Sequence, residues 1–118
     1  NTIKVLIVEP EKDPRVEEIS HTLESLQHIV GGYIEALYPF EDPVAIICNE
    51  EGKLIGLEGN RRLGNDIIVG VFYIMSEDNE GNLVSLSEEK IQYYTERFRL
   101  PEVFDRSEID SMLTCHFF

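Results

Sequence analysis

The stretch Leu26 to Arg62, LQHIVGGYIEALYPFEDPVAIICNEEGKLIGLEGNRR, alternates apolar runs with turn-forming residues in a strict order, and its reading decides the fold. Gly31 supplies the left-handed residue that ends a helix. Tyr33 to Tyr38 then reads as a strand stopped by Pro39 and Pro43, and Val44 to Cys48, VAIIC, as a second, strongly β-prone strand. Asn49 to Lys53, NEEGK, is a turn in which Gly52 is expected at positive φ, with Leu54 to Leu57 returning as a short strand. Gly56, Gly59, Asn60 and Gly64 make the following section a loop.

Working outward, Thr2 to Val8, TIKVLIV, is almost continuously aliphatic and reads as a strand buried on both faces. Asp13 and Pro14 form a helix start, and Val16, Ile19, Leu23, Leu26 and Val30 follow at helical spacing, which predicts one helix from there to Gly31. Asp66 to Met75 reads as a single long strand with a bulge at Gly70. Glu77 to Asn82 is a polar turn, after which Leu83 to Leu86 pairs back. Ser87 caps a helix whose buried face is Ile91, Tyr94 and Phe98 and which Pro101 ends; Asp105 and Glu108 have the spacing of a capping box before a short third helix. The sum is an α+β fold: a single domain with a mixed or mostly antiparallel sheet and two or three helices packed on one face. Residues 1–104 make its body and 105–118 a short helix and tail of the same domain, ending in Phe117 and Phe118. The chain opens on Asn1 in place of Met, which leaves room for residues upstream.

With 23 Asp and Glu against 10 Lys and Arg, the 118-residue chain carries a net charge of -13. That balance opposes direct nucleic-acid binding and anionic membranes, both of which require cationic neutralisation of phosphate. It is compatible with a DNA mimic, an acidic anti-restriction-type inhibitor, provided the carboxylates align on one face at the spacing of duplex phosphates. Two cysteines outside any Cys-x-x-Cys pair, and no run long enough to span a membrane, predict a reducing cytoplasm.

Chemistry is harder to find. His21 and His28 lie two helical turns apart on the expected helix, about 10 Å along its axis, too far to share a metal. Acidic pairs such as Glu50 with Glu51 sit in turns and at helix starts, where carboxylates are expected for structural reasons. No catalytic residue, metal site or cofactor is assigned, and Cys48 in its apolar run reads as an inert thiol. The segment Gly59 to Gly64, with two guanidinium groups on a glycine-rich backbone, is a candidate holder of a phosphate or carboxylate, hence a nucleotide-type anionic ligand. The binding candidates are Tyr33, Glu35, Asn49, Asn60, Arg61 and Arg62, on a surface formed by the loops Asn49 to Lys53 and Gly59 to Asp66. The leading expectation is a small non-enzymatic binding module whose partner is a protein, with a homodimer as one form of that partner.

The order VGGYIE (Val30 to Glu35), NEEGKL (Asn49 to Leu54), Asn60–Arg61 and DIIVGVFYI (Asp66 to Ile74) resembles domain-of-unknown-function family 3846, found in Firmicutes and their phages and conjugative elements. The resemblance covers roughly residues 2 to 104, with Glu58 and Gly59 standing where the family pattern has a proline-containing turn. It implies a mobile-element setting with an accessory, regulatory or anti-defence role, and brings no activity, cofactor or catalytic residue.

Overall fold

The computed structural model describes residues 1–115, with side chains through Ser111. Eight strands and three helices follow in the order β1 (Thr2–Val8), β2 (Arg15–Ser20), α1 (Leu23–Val30), β3 (Ile34–Leu37), β4 (Val44–Asn49), β5 (Gly59–Leu63), β6 (Asp66–Val69), β7 (Phe72–Glu77), β8 (Leu83–Val84), α2 (Glu88–Arg97) and α3 (Arg106–Cys115). The main sheet is antiparallel throughout, in the order β2-β1-β7-β4-β3 with β8 also paired to β7; β5 and β6 form a separate hairpin. The α+β class and the antiparallel sheet are as the sequence leads one to expect.

The helices, however, lie on opposite faces of that sheet. Side chains alternate along a strand, so Ile3, Val5 and Ile7 of β1 join Ala45 and Ile47 of β4 and Tyr73 and Met75 of β7 under Leu26 and Val30 of α1. The other parity, Leu6 and Val8 with Val44, Ile46, Cys48, Phe72 and Ile74, packs under Ile91, Tyr94 and Phe98 of α2 and Ile68 of β6. A one-faced arrangement would have left half of each central strand in water. Runs such as TIKVLIV and VAIIC, apolar at both parities, require cover on both sides.

The predicted helix from Asp13 divides into β2 and a shorter α1. Arg15–Ser20 pairs along its whole length with β1, Ile3 opposite Ile19 and Leu6 opposite Val16. The helix begins only after Thr22, whose hydroxyl accepts from the Ser25 amide at 3.2 Å. The helical spacing of Val16 and Ile19 was a coincidence that a ladder of backbone hydrogen bonds overrode, and His21 consequently precedes the helix that carries His28. Gly31, at φ 77°, does end α1.

Four further expectations change around the hairpin. Positive φ falls at Gly56 (80°), not Gly52. A Cβ on Gly52 would stand 2.7 Å from Val69 Cγ2, so glycine is required there by close approach. Residues 50–56 are turn, so 54–57 is not a strand; Ile55 N–H donates to Glu51 C=O at 3.0 Å, while Gly59–Leu63, read as loop, is β5. Asp66 to Met75 is two strands in two sheets, broken at Gly70, where φ is 74°. The third helix forms, and Phe104 and Ile109 cover Ile67, Val69 and Leu57 of the hairpin region. Phe117 and Phe118 lie outside the described residues.

Gly70 and Gly64 separate two effects. Both have positive φ, but a Cβ at Gly70 meets Leu57 Cδ1 at 2.6 Å and one at Gly64 meets nothing. Gly64→Ala is expected to cost about 1 kcal/mol from backbone strain alone, and Gly70→Ala about 2 to 3 kcal/mol, measured by urea unfolding. Equal costs would mean that Leu57 does not hold the break.

Candidate functional site

The main sheet ends in two edge strands of different character. β2 carries Arg15, Glu17 and Glu18, with Arg15 paired to Glu9 and Glu17 and Pro14 at its head, a charged edge of the kind that resists further pairing. β3 carries one charge, Glu35. Its register opposite β4 is Ile34 to Asn49, Glu35 to Cys48, Ala36 to Ile47 and Leu37 to Ile46. The Glu50 amide donates to Tyr33 C=O at 2.9 Å on the same ladder, so residues 33, 35 and 37 turn their backbone groups toward β4. Ile34 and Ala36 therefore direct N–H and C=O outward, and among the described residues no strand lies beyond them.

Beside this edge, on the side-chain face shared by Glu35, Leu37 and Cys48, is a cavity of about 350 Å³ roofed by the turn at 50–54 and by β6. Four carboxylates (Glu35, Glu50, Glu51 and Asp66) and one ammonium (Lys53) line it. Lys53 Nζ lies 2.9 Å from Asp66 Oδ1, an oxygen that also accepts from the Ile67 amide at 2.8 Å. Glu35, Glu50 and Glu51 form no ion pair with any described residue. The Cys48 thiol in the wall is pushed up to about 11, chiefly by burial and then by the Glu35 charge, against an opposing pull from Lys53. It is a protonated, weakly nucleophilic group at neutral pH.

Asn49 sets the shape of this corner. Its Nδ2 donates to Val30 C=O at the end of α1 at 3.1 Å, and its Oδ1 accepts from the Glu51 amide at 2.8 Å. Gly32 is needed because a Cβ there would stand 2.9 Å from that Nδ2. Tyr33 is two-thirds exposed at the head of the edge strand. Of the six candidates, Tyr33, Glu35 and Asn49 thus come together, Asn49 as a structural tie.

Asn60 and Arg61 are elsewhere, inside the protein. Asn60 Nδ2 donates to Val8 C=O at 2.9 Å and to Gly70 C=O at 2.8 Å, and its Oδ1 accepts from Arg61 Nη1 at 2.7 Å. Arg61 also donates from Nε to Phe98 C=O (3.0 Å), from Nη1 to Asn60 C=O (3.1 Å) and from Nη2 to Lys12 C=O (2.6 Å). Its partners are neutral oxygens, and Phe98 caps the C-terminal end of α2, where the helix dipole favours a cation. Burial lowers the Arg61 pKa, offset in part by Glu102 and Asp13. With every nitrogen of the guanidinium engaged, the side chain is a staple, and an anion would have to displace it from its carbonyls. Arg62 points outward, pairs with Glu108 at 2.6 Å and lies over the Phe104 ring at 5.4 Å.

Ala36 is not among the sequence candidates, and Lys53 and Asp66 enter only as the ends of the loops Asn49 to Lys53 and Gly59 to Asp66. The turn NEEGK contained Lys53, but its pairing with Asp66 depends on β6 folding back over β4. Among the described residues no group of His, Cys, Asp and Glu is arranged to hold a metal ion, and no helix is long and apolar enough to cross a membrane.

Two consequences are measurable. Arg61→Ala leaves buried carbonyls unpaired and opens a cavity, and is expected to cost about 3 to 5 kcal/mol in urea unfolding, while Arg62→Ala, losing an exposed pair, has a far smaller effect. In a Cys115→Ser background, iodoacetamide should label Cys48 slowly at neutral pH in the folded protein and rapidly once unfolded. Because the folded thiol holds its proton more tightly, its contribution to stability is complete below the ordinary thiol pKa and is lost as pH rises toward about 11. Rapid labelling of the folded chain at neutral pH would contradict the buried placement.

Comparison with known proteins adds one relationship. A family described as Domain of unknown function (DUF3846) matches residues 3–99, the span from β1 through the end of α2. No curated protein and no solved structure matches the chain. The matched span holds the open edge, the cavity and the Asn60–Arg61 staple, and this chain belongs to the domain-of-unknown-function family 3846.

Proposed function

We propose that the protein is a small, non-enzymatic protein-binding module that recruits its partner through the exposed edge of β3 and the adjoining cavity. The observation that carries this reading is the outward-facing backbone of Ile34 and Ala36 on a strand with a single charge, next to a cavity lined by both carboxylates and apolar side chains. Backbone groups at such an edge are matched by an extended segment of another chain, and the cavity beside them offers side-chain selectivity. Resemblance to proteins of phages and conjugative elements supports an accessory or regulatory role in a mobile element, in the cytoplasm of its host.

The anionic-ligand reading draws less support, since Arg61 is committed to carbonyls and Arg62 to Glu108. A DNA-mimicking role is supported by the net charge of -13 alone. Affinity capture from the native host during infection or conjugation tests the proposal. A partner recovered with wild type and with Arg62→Ala but lost with Ala36→Pro is expected, because proline is tolerated where the N–H faces outward yet removes a donor from the edge. A turnover reaction abolished by Glu35→Gln, with no partner lost in Ala36→Pro, would overturn it.

A further inference from the structure

Resting on that reading, we infer that the segment taken up by β3 is an extended, basic peptide of a partner protein, with a Lys or Arg opposite Glu35 and an apolar residue opposite Leu37. The edge sets the spacing. Ile34 and Ala36 supply the outward hydrogen bonds, so Glu35 occupies a non-hydrogen-bonded position relative to an added strand, where facing side chains are closest. Glu35 and Leu37 share one face of β3, and both line the cavity. An incoming strand must therefore present two residues, two apart, to that face.

Charge selects what the first of them is. Among the described residues, only Asp66 of the four carboxylates lining the cavity has a cation partner, and Glu35, Glu50 and Glu51 pair with none. A guanidinium or ammonium opposite Glu35 meets this uncompensated charge, whereas a carboxylate is repelled by it. The second residue meets half-buried Leu37, which packs on the core cluster. The same charges disfavour a second copy of this chain: pairing β3 with β3 brings the two sets of carboxylates together on molecules each carrying -13.

Selection of displayed random linear peptides on the full chain, followed by anisotropy titration of the winners, tests this. Winners are expected to carry Lys or Arg two positions from an apolar residue and to bind about tenfold or more weakly to Glu35→Lys. Ala36→Pro should abolish binding with the circular dichroism of wild type retained. Should Ala36→Pro not fold, N-methylation of the peptide amides facing β3 removes the same hydrogen bonds without altering the protein, and must abolish binding as well. Affinity should fall as salt rises from about 50 to about 500 mM. Winners without a basic position, yet sensitive to Ala36→Pro, would overturn the basic partner and leave the edge standing. Winners indifferent to both edge blocks would overturn the edge reading too. A dimer in sedimentation that Ala36→Pro dissociates would assign the edge to a second copy and overturn the inference, as would the recovery of no binding peptide.

Discussion

A buried guanidinium holds the layers of this protein together. Arg61 reaches from the β5–β6 hairpin to Lys12 in the loop after β1 and to Phe98 at the end of α2, while Asn60 beside it ties Val8 and Gly70. Taking a cation out of water costs several kcal/mol, and among the described residues no carboxylate is close enough to offset it as an ion pair. Carbonyl oxygens and the negative end of α2 do so instead. The donor geometry of arginine suits this: nitrogens fixed in one plane satisfy carbonyls from three separate segments, which a lysine ammonium on a flexible stem cannot do in the same directions.

The rest of the site is built around that staple. The chain breaks at Gly70, and β6 leaves the main sheet and lies over it, with Ile68 in the core beside Val44 and Ile46. β6 and the 50–54 turn then face β4 and β3 across a gap, which remains open as the cavity. Asn49 fixes the other wall by joining the end of α1 to the turn. The open edge and its cavity are thus held by Asn49 in the cavity wall and by the buried Asn60 and Arg61.

The strand TIKVLIV, the strand VAIIC, the stop at Gly31 and the cap at Ser87 were all legible, because each is decided by local side-chain patterning and backbone preference. Errors gathered where two local readings were equally good. Val16 and Ile19 suit a helix face or an edge strand, and only pairing with β1 chose. Asp66 to Met75 suits one long strand, and the break at Gly70 became necessary only through Leu57 and the Glu58 carbonyl, to which the Gly70 amide donates at 2.7 Å.

Of the residues singled out by type, Glu35 and Asn49 lie at the cavity beside β3, and Arg61 lies buried among carbonyls. An Asn-Arg-Arg run between glycines has the composition of an anion-binding loop, and composition does not record which arginine is turned inward. By itself the sequence determined the strands β1 and β4, the stop at Gly31, the cap at Ser87 and the net negative charge, since these depend on neighbours within a few residues and on summed charge. Only the tertiary structure decided that α1 and α2 cover opposite faces, that Arg61 is consumed as a staple and that β3 is left as an open edge above a cavity, because each depends on which distant segments are brought into contact.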